Sequence, residues 1–472
     1  MYNIMSYPPA LNYSLRTLSG VSSASFRIPC QTTNAVSPNG QIRMSLPTNS
    51  IVDMRKCKFV FCVETTGTGN VRIPEVIAMI QRYQLSAGGV PISQGCANAH
   101  VLKQALKIVH PHDEGDPCDH HPEIFRYRSS VLGQDISGQA ETYRVGTEAK
   151  DNATFFELSL GMFFDSCEPR MISTDLLPQL EVELFLNSAN VLISAGGSQL
   201  AGVALTGIDV DGTKDANYTI SQYSLIAPCY ALNDDSYSAM LDAMIVANDY
   251  LPIGFKEYYN YSDTFTGTFQ GSNGSSCLNR LIGVFRNSSD VDAQGGAVYV
   301  QGYKTGTANV SGVPCQLQSS IHHGEKYVSK ALNFQAPMTA LPTVDAVAVA
   351  PATFSSGYPN LVWRVNSVSL PNFNVPLPQF YGLTKNAFDV DKTMAQSMVE
   401  YLNNRFVIAI NLALPSNNVR EKSGLNMRGS SSTIRLEAPI TTNLKTSHNL
   451  QVFMETTCEL RISGGKQLSV IN

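Results

Sequence analysis

The sequence predicts an all-β protein with two β-sandwich domains, and three observations lead to this prediction. Near the C-terminus, the segments 405–415, 432–439 and 449–463 alternate apolar and polar residues. A period of two indicates a strand with one buried and one exposed face, and several such strands in series bury those faces against a second sheet. The chain has 472 residues, which is too long for a single core. Both of its halves repeat the strand patterning.

The alternation is clearest in two of these strands. One face of the first carries Phe406, Ile408, Ile410, Leu412 and Leu414. One face of the last carries Leu450, Val452, Met454, Thr456, Cys458, Leu460 and Ile462. We therefore expect one face of each strand to lie in the core and the other to lie at the surface.

The first half begins with a predicted extended arm, residues 1–25, which contains two consecutive prolines and no periodicity. Strands are predicted at 40–47 and 55–64. The segment 77–94 predicts a β-hairpin, because its Gly-Gly pair can adopt the positive φ angles of a tight turn. A short amphipathic helix is predicted over 96–109 from apolar residues at helical spacing, namely Ala99, Leu102, Leu106 and Val109.

A polar, irregular segment from residue 110 to about 153 predicts a projecting loop. Strands follow over 156–164 and 180–187. A stretch rich in Gly, Ala, Ser and Asp then runs from 195 to 216, and the domain boundary is placed inside it. The predicted first domain covers residues 26–212 and the second covers 213–472.

The second half repeats this organisation. Strands are predicted at 218–232, 253–269 and 361–373, and a second long loop is predicted between 270 and about 360. A helix over 233–248, with Asn233 as a cap, has an apolar stripe of Tyr237, Met240, Leu241, Met244 and Ile245. A further helix is predicted over 391–404, with Asp391 as its cap, through Met394, Met398, Tyr401 and Leu402.

Both halves finish on a long alternating strand that leads to a Gly-Gly pair, which fits a duplicated unit. Eight-stranded jelly rolls are a common arrangement for a domain of this kind. The predicted fold is therefore two jelly-roll β-sandwich domains with short helices and long surface loops.

Composition excludes some classes of function. The formal net charge is −5 and no segment has a dense run of Lys and Arg, which argues against direct binding of nucleic acid. Charged residues make up only 15% of the chain, a composition that suits packing against other copies but also suits an ordinary β-rich protein. The start of the chain has no signal-peptide pattern, and no apolar run is long enough to cross a bilayer, so we expect a soluble chain synthesised in the cytosol. The ten cysteines form no CxxC pair and are predicted to be free thiols.

One cluster has the residue types of a metal site. It contains His110, His112, Cys118, His120 and His121, with carboxylates between them. Imidazole and thiolate are preferred ligands of zinc, so these residues could hold a structural ion that stiffens a loop. Histidines and carboxylates are also ordinary loop residues, and the spacing matches no familiar zinc motif. We assign no metal or cofactor here.

A second candidate is the DxDGT sequence that contains Asp209 and Asp211. Two carboxylates at this spacing resemble the nucleophile and acid/base pair of haloacid-dehalogenase-type phosphatases. That chemistry requires the motif at the tip of a parallel strand, whereas the surrounding sequence predicts strands without alternating helices. A calcium loop is also disfavoured, because Ile220 occupies the position that would need a bidentate glutamate. A turn explains the motif equally well, and the chain is predicted not to be an enzyme.

Two other sequence features have simple interpretations. The pair His322 and His323 lies in the second predicted loop and is expected to be solvated. The single tryptophan, Trp363, lies in a predicted strand and is expected in the core or at an interface.

Several segments of the chain resemble major capsid proteins of tailless icosahedral double-stranded DNA viruses, of the polinton-like virus and virophage type. These segments are 80–93 with the helix that follows, 363–382, 391–404, 405–415, 420–439 and 449–463. The resemblance implies a double jelly roll, three chains in a pseudo-hexagonal capsomer, long loops as surface towers, and an N-terminal arm that ties capsomers together.

The resemblance predicts a viral major capsid protein that encloses a double-stranded DNA genome and is a component of the virion, made in the host cytoplasm. Its expected partners are two further copies in a homotrimer, neighbouring capsomers, and penton and minor capsid proteins, without direct contact to nucleic acid. An internal membrane beneath the shell is compatible with the missing basic arm. Two alternatives stay open: a minor capsid, penton or spike protein, and a β-sandwich module that binds carbohydrate.

Overall fold

A computed structural model provides the fold of the chain. It describes residues 21–32, 34–66, 70–72, 76–110, 123–125, 153–195, 209–210, 215–232, 236–291, 296–299, 327–339, 341, 357–391, 393–395, 398–414, 419, 422–429 and 432–472. The predicted loop over residues 110–153 lies mostly outside these residues, as does much of the predicted loop over 270–360.

Antiparallel strands dominate both halves of the chain. Those of the first half are β1 Val21–Pro29, β2 Gln41–Ser45, β3 Ile51–Asp53, β4 Lys58–Thr66, β5 Asn70–Arg72, β6 Ile80–Ala87, β7 Val90–Ser93, β8 Glu123–Phe125, β9 Ala153–Ser159, β10 Met171–Ser173, β11 Leu180–Leu186, β12 Ile193–Ala195, β13 Asp209–Val210 and β14 Asn217–Leu232. Those of the second half are β15 Leu251–Phe265, β16 Thr268–Gly271, β17 Leu278–Asn287, β18 Ala297–Tyr299, β19 Tyr327–Ser329, β20 Asn360–Val365, β21 Val368–Pro376, β22 Val407–Asn411, β23 Ile434–Ile440, β24 His448–Ser463 and β25 Gln467–Ile471.

Short helices connect the strands. The α-helices are α1 Ala99–Val109, α2 Phe163–Ser166, α3 Ser236–Asn248, α4 Ser288–Val291, α5 Phe380–Phe388 and α6 Met398–Asn404. Single 3-10 turns lie at Met54–Lys56, Val76–Met79, Thr174–Leu176, Ala189–Val191, Lys330–Leu332, Leu377–Gln379 and Gly464–Lys466.

In each half, eight of the strands pair into two sets of four that face one another. Strands β3, β8 and β10 extend one sheet of the first half to seven strands, and β25 extends one sheet of the second half to five. In the first half the order is β1-β14-β4-β9 in one sheet and β2-β11-β6-β7 in the other. In the second half the order is β15-β24-β17-β22 in one sheet and β16-β23-β20-β21 in the other. If these eight strands are counted along the chain, both halves follow the pairing orders 1-8-3-6 and 2-7-4-5. The chain therefore contains the same eight-stranded sandwich twice, and we call the two sandwiches the first roll and the second roll.

The strand pairing moves the predicted domain boundary. The prediction placed the boundary between residues 212 and 213, but β14 lies beyond it and pairs with β1, β3 and β4 of the first roll. The glycine-rich composition of 195–216 indicated a linker, whereas the eighth strand of the first roll comes after that stretch. The chain passes from one roll to the other between Leu232 and Leu251, through helix α3. The end of the predicted arm, 1–25, is also wrong, because its last five residues belong to β1, which begins at Val21.

Several predicted elements are confirmed. The hairpin of β6 and β7 turns at Gly88 and Gly89, whose φ angles are +55° and +82°. Helix α1 covers the predicted segment, and β11 alternates buried and partly exposed residues along its whole length. Trp363 is fully buried in the core.

Other predicted elements are wrong in extent. Strand β17 lies inside the predicted loop over 270–360, and its first nine residues are buried on both faces, so it lacks the alternation that would have indicated a strand. The helix predicted over 391–404 begins only at Met398 in the structure. The predicted strand over 156–164 ends at Ser159, and helix α2 follows.

The C-terminal strands are buried more completely than predicted. Residues 407–410 of β22 are buried on both faces, because helix α5 packs against this edge strand. The Thr384 hydroxyl donates to the carbonyl of Val407 at 2.9 Å and accepts from the amide of Ala409 at 3.1 Å. The helix therefore satisfies polar groups at the edge of the sheet. The predicted apolar face does not continue to Leu414, which is exposed.

Candidate functional site: the junction of the rolls and the exposed apolar surface

The second roll contacts the first through its edge strand β15. The amide of Gly254 donates to the carbonyl of Glu168 at 3.0 Å, and the amide of Glu168 donates back to the carbonyl of Gly254 at 2.8 Å. The amide of Lys256 donates to the hydroxyl of Ser166 at 2.9 Å. The rings of Phe163 and Phe255 lie 5.0 Å apart between these polar contacts. The two rolls are therefore joined by backbone pairing as well as by apolar packing.

A buried group of charges lies beside this contact. Glu455 of β24 is fully buried, and its carboxylate contacts Lys256 Nζ and Arg280 Nη1, both at 3.0 Å. The Tyr258 hydroxyl lies 3.3 Å from the same carboxylate, and the pKa of Tyr258 is raised well above its ordinary value, first by burial and then by this negative charge. The Arg280 guanidinium also stacks over the ring of Phe388 in α5, 4.0 Å from its centroid. One carboxylate is thus shared by two cations, one from each strand that flanks β24.

A cleft of about 370 Å³ opens at the junction, and three cations, Arg55, Lys103 and Lys256, line it. Each cation is already paired with a carboxylate: Arg55 with Glu168 at 2.6 Å, Lys103 with Asp165 at 3.3 Å, and Lys256 with Glu455 at 3.0 Å. Each of the three lining cations is therefore already engaged by a carboxylate, which favours a structural role over the binding of an anion.

Sequence analysis did not find the residues of the junction. Arg280 lies in β17, which was predicted to be a loop, and Glu455 was predicted to lie on the exposed face of its strand. The sequence did contain one signal, which is a charged residue inside each of the long apolar segments of β17 and β24. A charge in such a segment indicates a buried ion pair, because charged residues are rarely buried without a partner.

The second candidate region is a set of large apolar side chains that are exposed in the single chain. The members are Phe26, Val90, Met171, Met240, Met244, Val246, Val368, Phe373, Met398, Leu414, Leu425 and Ile440. Three of them lie on helix α3, where Val246 is 83% exposed. The predicted helix is present as α3, and its apolar stripe includes Met240 and Met244, which the structure places at the surface.

Each roll has two ends along its strands. Helix α3 lies at one of them, and the strands next to the long predicted loops reach the other. It follows the end of β14 and leads into β15 at Leu251, which pairs with Ile462. At the other end of that sheet, Phe265 and Asn287 pair with His448, and the segment that follows β17 begins there. In the first roll, Ala153 pairs with Glu64 at the corresponding distant end. Helix α3 and the strand ends next to the two long predicted loops therefore lie at opposite ends of these sheets.

The predicted metal cluster is only partly covered by the structure. Among its members, His112, Cys118, His120 and His121 lie outside the described residues. The ring of His110 packs edge-on against Phe388, with 5.2 Å between the ring centroids. Within the described ranges, no group of three or more His, Cys, Asp or Glu residues has the arrangement of a metal site.

The carboxylate motif lies in a different setting from the one that phosphatase chemistry needs. Asp209 belongs to the two-residue strand β13, which pairs antiparallel with β18, while Asp211 lies outside the described residues. An antiparallel β-ribbon does not supply the parallel strand tip of that chemistry. The pair His322 and His323 also lies outside the described part of the chain.

Eight cysteines are described, and all are buried and free: Cys30, Cys57, Cys62, Cys96, Cys167, Cys229, Cys277 and Cys458. Burial raises the pKa of Cys30, Cys57 and Cys167 to about 12, so these thiols stay protonated at neutral pH. None of the helices in the described residues is long and apolar enough to span a bilayer.

No protein-family model and no curated protein matches the sequence. Solved structures do match over nearly the full chain. The Faustovirus major capsid protein is 9% identical, with a TM-score of 0.59, over 97% of this chain and 93% of that chain. PBCV-1 VP54, in a structure fitted into a cryo-EM reconstruction of the virophage Sputnik, is 11% identical, with a TM-score of 0.57, over 98% and 99%. The cryo-EM structure of the Sputnik virophage is 10% identical, with a TM-score of 0.53, over 100% and 93%.

The repeated strand order and these full-length likenesses define the class of the fold, which is the double jelly roll. Viral capsid proteins such as the Faustovirus major capsid protein share this fold, so the fold predicted from the sequence is confirmed. At identities of about a tenth, the likeness establishes the fold, and function needs a separate argument.

Proposed function

We propose that the chain is a viral major capsid protein, a structural subunit that forms the icosahedral shell around a double-stranded DNA genome. The observation that carries the proposal is the double jelly roll itself, matched from end to end by viral capsid structures. A fold shared over the whole chain leaves little room for an added catalytic domain. The subunit acts by burying contact surfaces, and many weak, repeated contacts add up to a stable shell.

The proposed assembly unit is a homotrimer, because three double jelly rolls place six similar sandwiches around one axis and give a pseudo-hexagonal block. Neighbouring capsomers, penton proteins and minor capsid proteins are the further proposed partners. The net charge of −5 supports a shell that does not contact nucleic acid directly. The protein would be made in the host cytoplasm and reside in the virion, with an internal membrane as an optional layer beneath it.

Exposed apolar side chains at separate places on the chain support self-assembly. Phe26 lies on the edge strand β1, whose residues 22–27 are all exposed, and Val246 lies on α3 at one end of the rolls. Edge strands and apolar surfaces of this kind are usually covered in the functional state of a protein. In the proposed shell, neighbouring copies cover them.

We expect the purified chain to have the mass of three 51.3 kDa subunits in solution. Light scattering coupled to size exclusion measures that mass, and negative-stain imaging of the same peak should show compact hexagonal blocks with surface knobs. A stable monomer at micromolar concentration would argue against the major capsid role. Glycan-array binding by that monomer would favour the alternative of a carbohydrate-binding module.

Helix α3 gives a more specific prediction. Replacing the exposed Val246 with aspartate should leave the monomer folded, because the side chain has almost no contact with the core. If neighbouring copies cover the helix, the same change should weaken shell assembly at least tenfold, since a charge would then be desolvated at each contact. Turbidity or light scattering during assembly measures this effect. Unchanged assembly of Val246→Asp would exclude α3 from the interfaces and leave the trimer prediction standing.

A further inference from the structure

The junction of the rolls contains a buried carboxyl group that the ion cluster around Glu455 does not include. Glu257 lies on β15 and is only 6% exposed. The Ser93 hydroxyl, at the end of β7 in the first roll, donates to its carboxylate at 2.6 Å. The backbone amide of Gly95 donates to the same carboxylate. A side chain of the second roll is therefore held by two donors from the first.

The two donors have little freedom to move. Gly95 has a φ angle of +70°, and a Cβ atom at this position would lie 1.5 Å from the carbonyl oxygen of Tyr83. The chain after the hairpin therefore passes directly against β6, where only glycine fits. The Gly95 amide also lies 3.3 Å from the Ser93 hydroxyl, so the donors belong to one tight turn. The turn cannot easily withdraw from a charge that develops on Glu257.

Among the described residues, the titratable groups that face Glu257 are phenols and thiols. They are Tyr83 on β6, Cys96 before α1, Tyr259 on β15 and Cys458 on β24. Burial raises the pKa of each, that of Cys458 to about 12, so all four are neutral at ordinary pH.

Two cations of this sheet, Lys256 and Arg280, lie on its other face. Glu257 pairs in register with Thr456, whereas Tyr258 pairs with Glu455, so the two glutamates project to opposite faces. Lys256 and Arg280 are engaged by Glu455 on that second face. Glu257 is left with hydrogen bonds and without a counter-charge among these groups.

We propose that Glu257 makes the junction of the two rolls sensitive to protonation: the neutral carboxyl fits between them, and its ionised form loosens their contact. The structural basis is a carboxyl enclosed by neutral groups and held by a rigid turn of the other roll. This property concerns the isolated chain and does not depend on the proposed capsid role.

The direction of the pH dependence follows from the pKa of Glu257. Burial raises that pKa from 4.5 to about 7, although the hydrogen bonds from Ser93 and Gly95 lower it in part. The folded chain therefore holds this proton more tightly than the unfolded chain does. Rising pH removes stability between 4.5 and about 7, and the loss is constant above that window, where both states are ionised.

The test compares the wild-type chain with Glu257→Gln in urea unfolding at a series of pH values between about 4.5 and 8. Glutamine keeps the size and an acceptor oxygen but cannot ionise. We expect the ratio of the two unfolding equilibrium constants to change on the order of a hundredfold across this range, with the variant gaining relative stability as pH rises. Glu181→Gln, a change at a partly exposed strand residue of the first roll, is the matched control and should give a far smaller change.

Hydrogen exchange of individual amides, corrected for the intrinsic pH dependence of exchange, shows which part of the chain loosens as the pH rises. Protection of residues 90–96 and 251–260 should fall as the pH rises from 4.5 to about 7 in the wild type, and it should stay constant in Glu257→Gln. A second variant, Ser93→Ala, removes a donor that favours the ionised form and should move the transition to higher pH. Parallel pH profiles for the wild type and Glu257→Gln would overturn the proposal, as would an unmoved transition in Ser93→Ala.

Discussion

Replacing Val452 with aspartate is expected to leave no soluble, folded protein. Val452 is fully buried on the long central strand β24, where it pairs with Tyr261 on one side and Gly283 on the other. A Cβ atom at Gly283 would contact Trp363 of the facing sheet at 3.3 Å, so this region is densely packed. An unpaired carboxylate placed there should cost more than about 4 kcal/mol, a large part of the total stability of a typical domain.

The measurement is the fraction of soluble chain after expression, followed by circular dichroism of any soluble material. Val246→Asp is the matched control, because it makes the same chemical change at a side chain that is 83% exposed. The control should be soluble and folded. A folded, soluble Val452→Asp trimer would contradict the assignment of β24 to the core. Ile410, on the edge strand β22, is a weaker test site because it is 8% exposed.

The sequence predicted best those strands that have one buried and one exposed face. Strand β11 is the clearest case, because its buried and partly exposed residues alternate without a break. The polarity of each residue indicates which face of the strand it occupies. The order of apolar and polar residues therefore predicted both the strand and its buried face. The Gly88-Gly89 turn could also be predicted from the sequence, because a tight hairpin turn requires two consecutive positive φ angles and glycine adopts them readily.

Strands in the centre of the molecule could not be recognised in the same way. Strand β17 is covered on one face by its own sandwich and on the other by the junction, so Arg280 and Ile282 share a buried face. Alternation disappears when both faces are buried, and the segment then resembles an irregular apolar stretch. Helix α3 failed for the opposite reason. Its residues Met240, Met244 and Val246 are exposed in the single chain, so their pattern did not indicate how the helix packs.

The contacts of the charged residues at the junction could not be predicted from the sequence. Glu257 was placed in a predicted strand, but its partner Ser93 lies 164 residues away. Whether a strand glutamate faces solvent, a cation or a neutral pocket depends on which roll packs against it, and that contact is set by tertiary structure. Sequence analysis could therefore predict the two rolls, and it could not predict how they are joined.

The second large effect is expected at Glu455, whose carboxylate is fully buried between Lys256 and Arg280. Glu455→Gln removes the negative charge and leaves the Arg280 guanidinium, only 10% exposed, without its charged partner. Breaking a buried ion pair by removing one partner typically costs about 3–5 kcal/mol, because the remaining charge stays desolvated. We expect a loss of that size in the free energy of unfolding, measured by urea denaturation.

A double-mutant cycle separates the lost ion pair from the lost hydrogen bonds. Arg280→Met alone should also be destabilising, since Lys256 alone then faces the carboxylate. The pair Arg280→Met and Glu455→Gln should recover much of the loss, because the buried Arg280 charge is then removed and the remaining cation, Lys256, has a side chain that is 23% exposed. The partly exposed pair of Arg364 and Glu437, 2.9 Å apart and 43% and 23% exposed, is the matched control, and Glu437→Gln should cost less than about 1 kcal/mol.

Additive losses in the cycle would show that the two side chains act independently and would contradict the arrangement described here. Strong coupling would have a structural consequence beyond stability. Glu455 contacts Lys256 on β15, and β15 is the strand that meets the first roll at Glu168 and Ser166. The same carboxylate therefore fixes the edge strand that joins the rolls, so loss of its charge should also reduce protection from hydrogen exchange on the first-roll side of the contact. A loss of protection confined to β17 and β24 would restrict the role of Glu455 to the second roll.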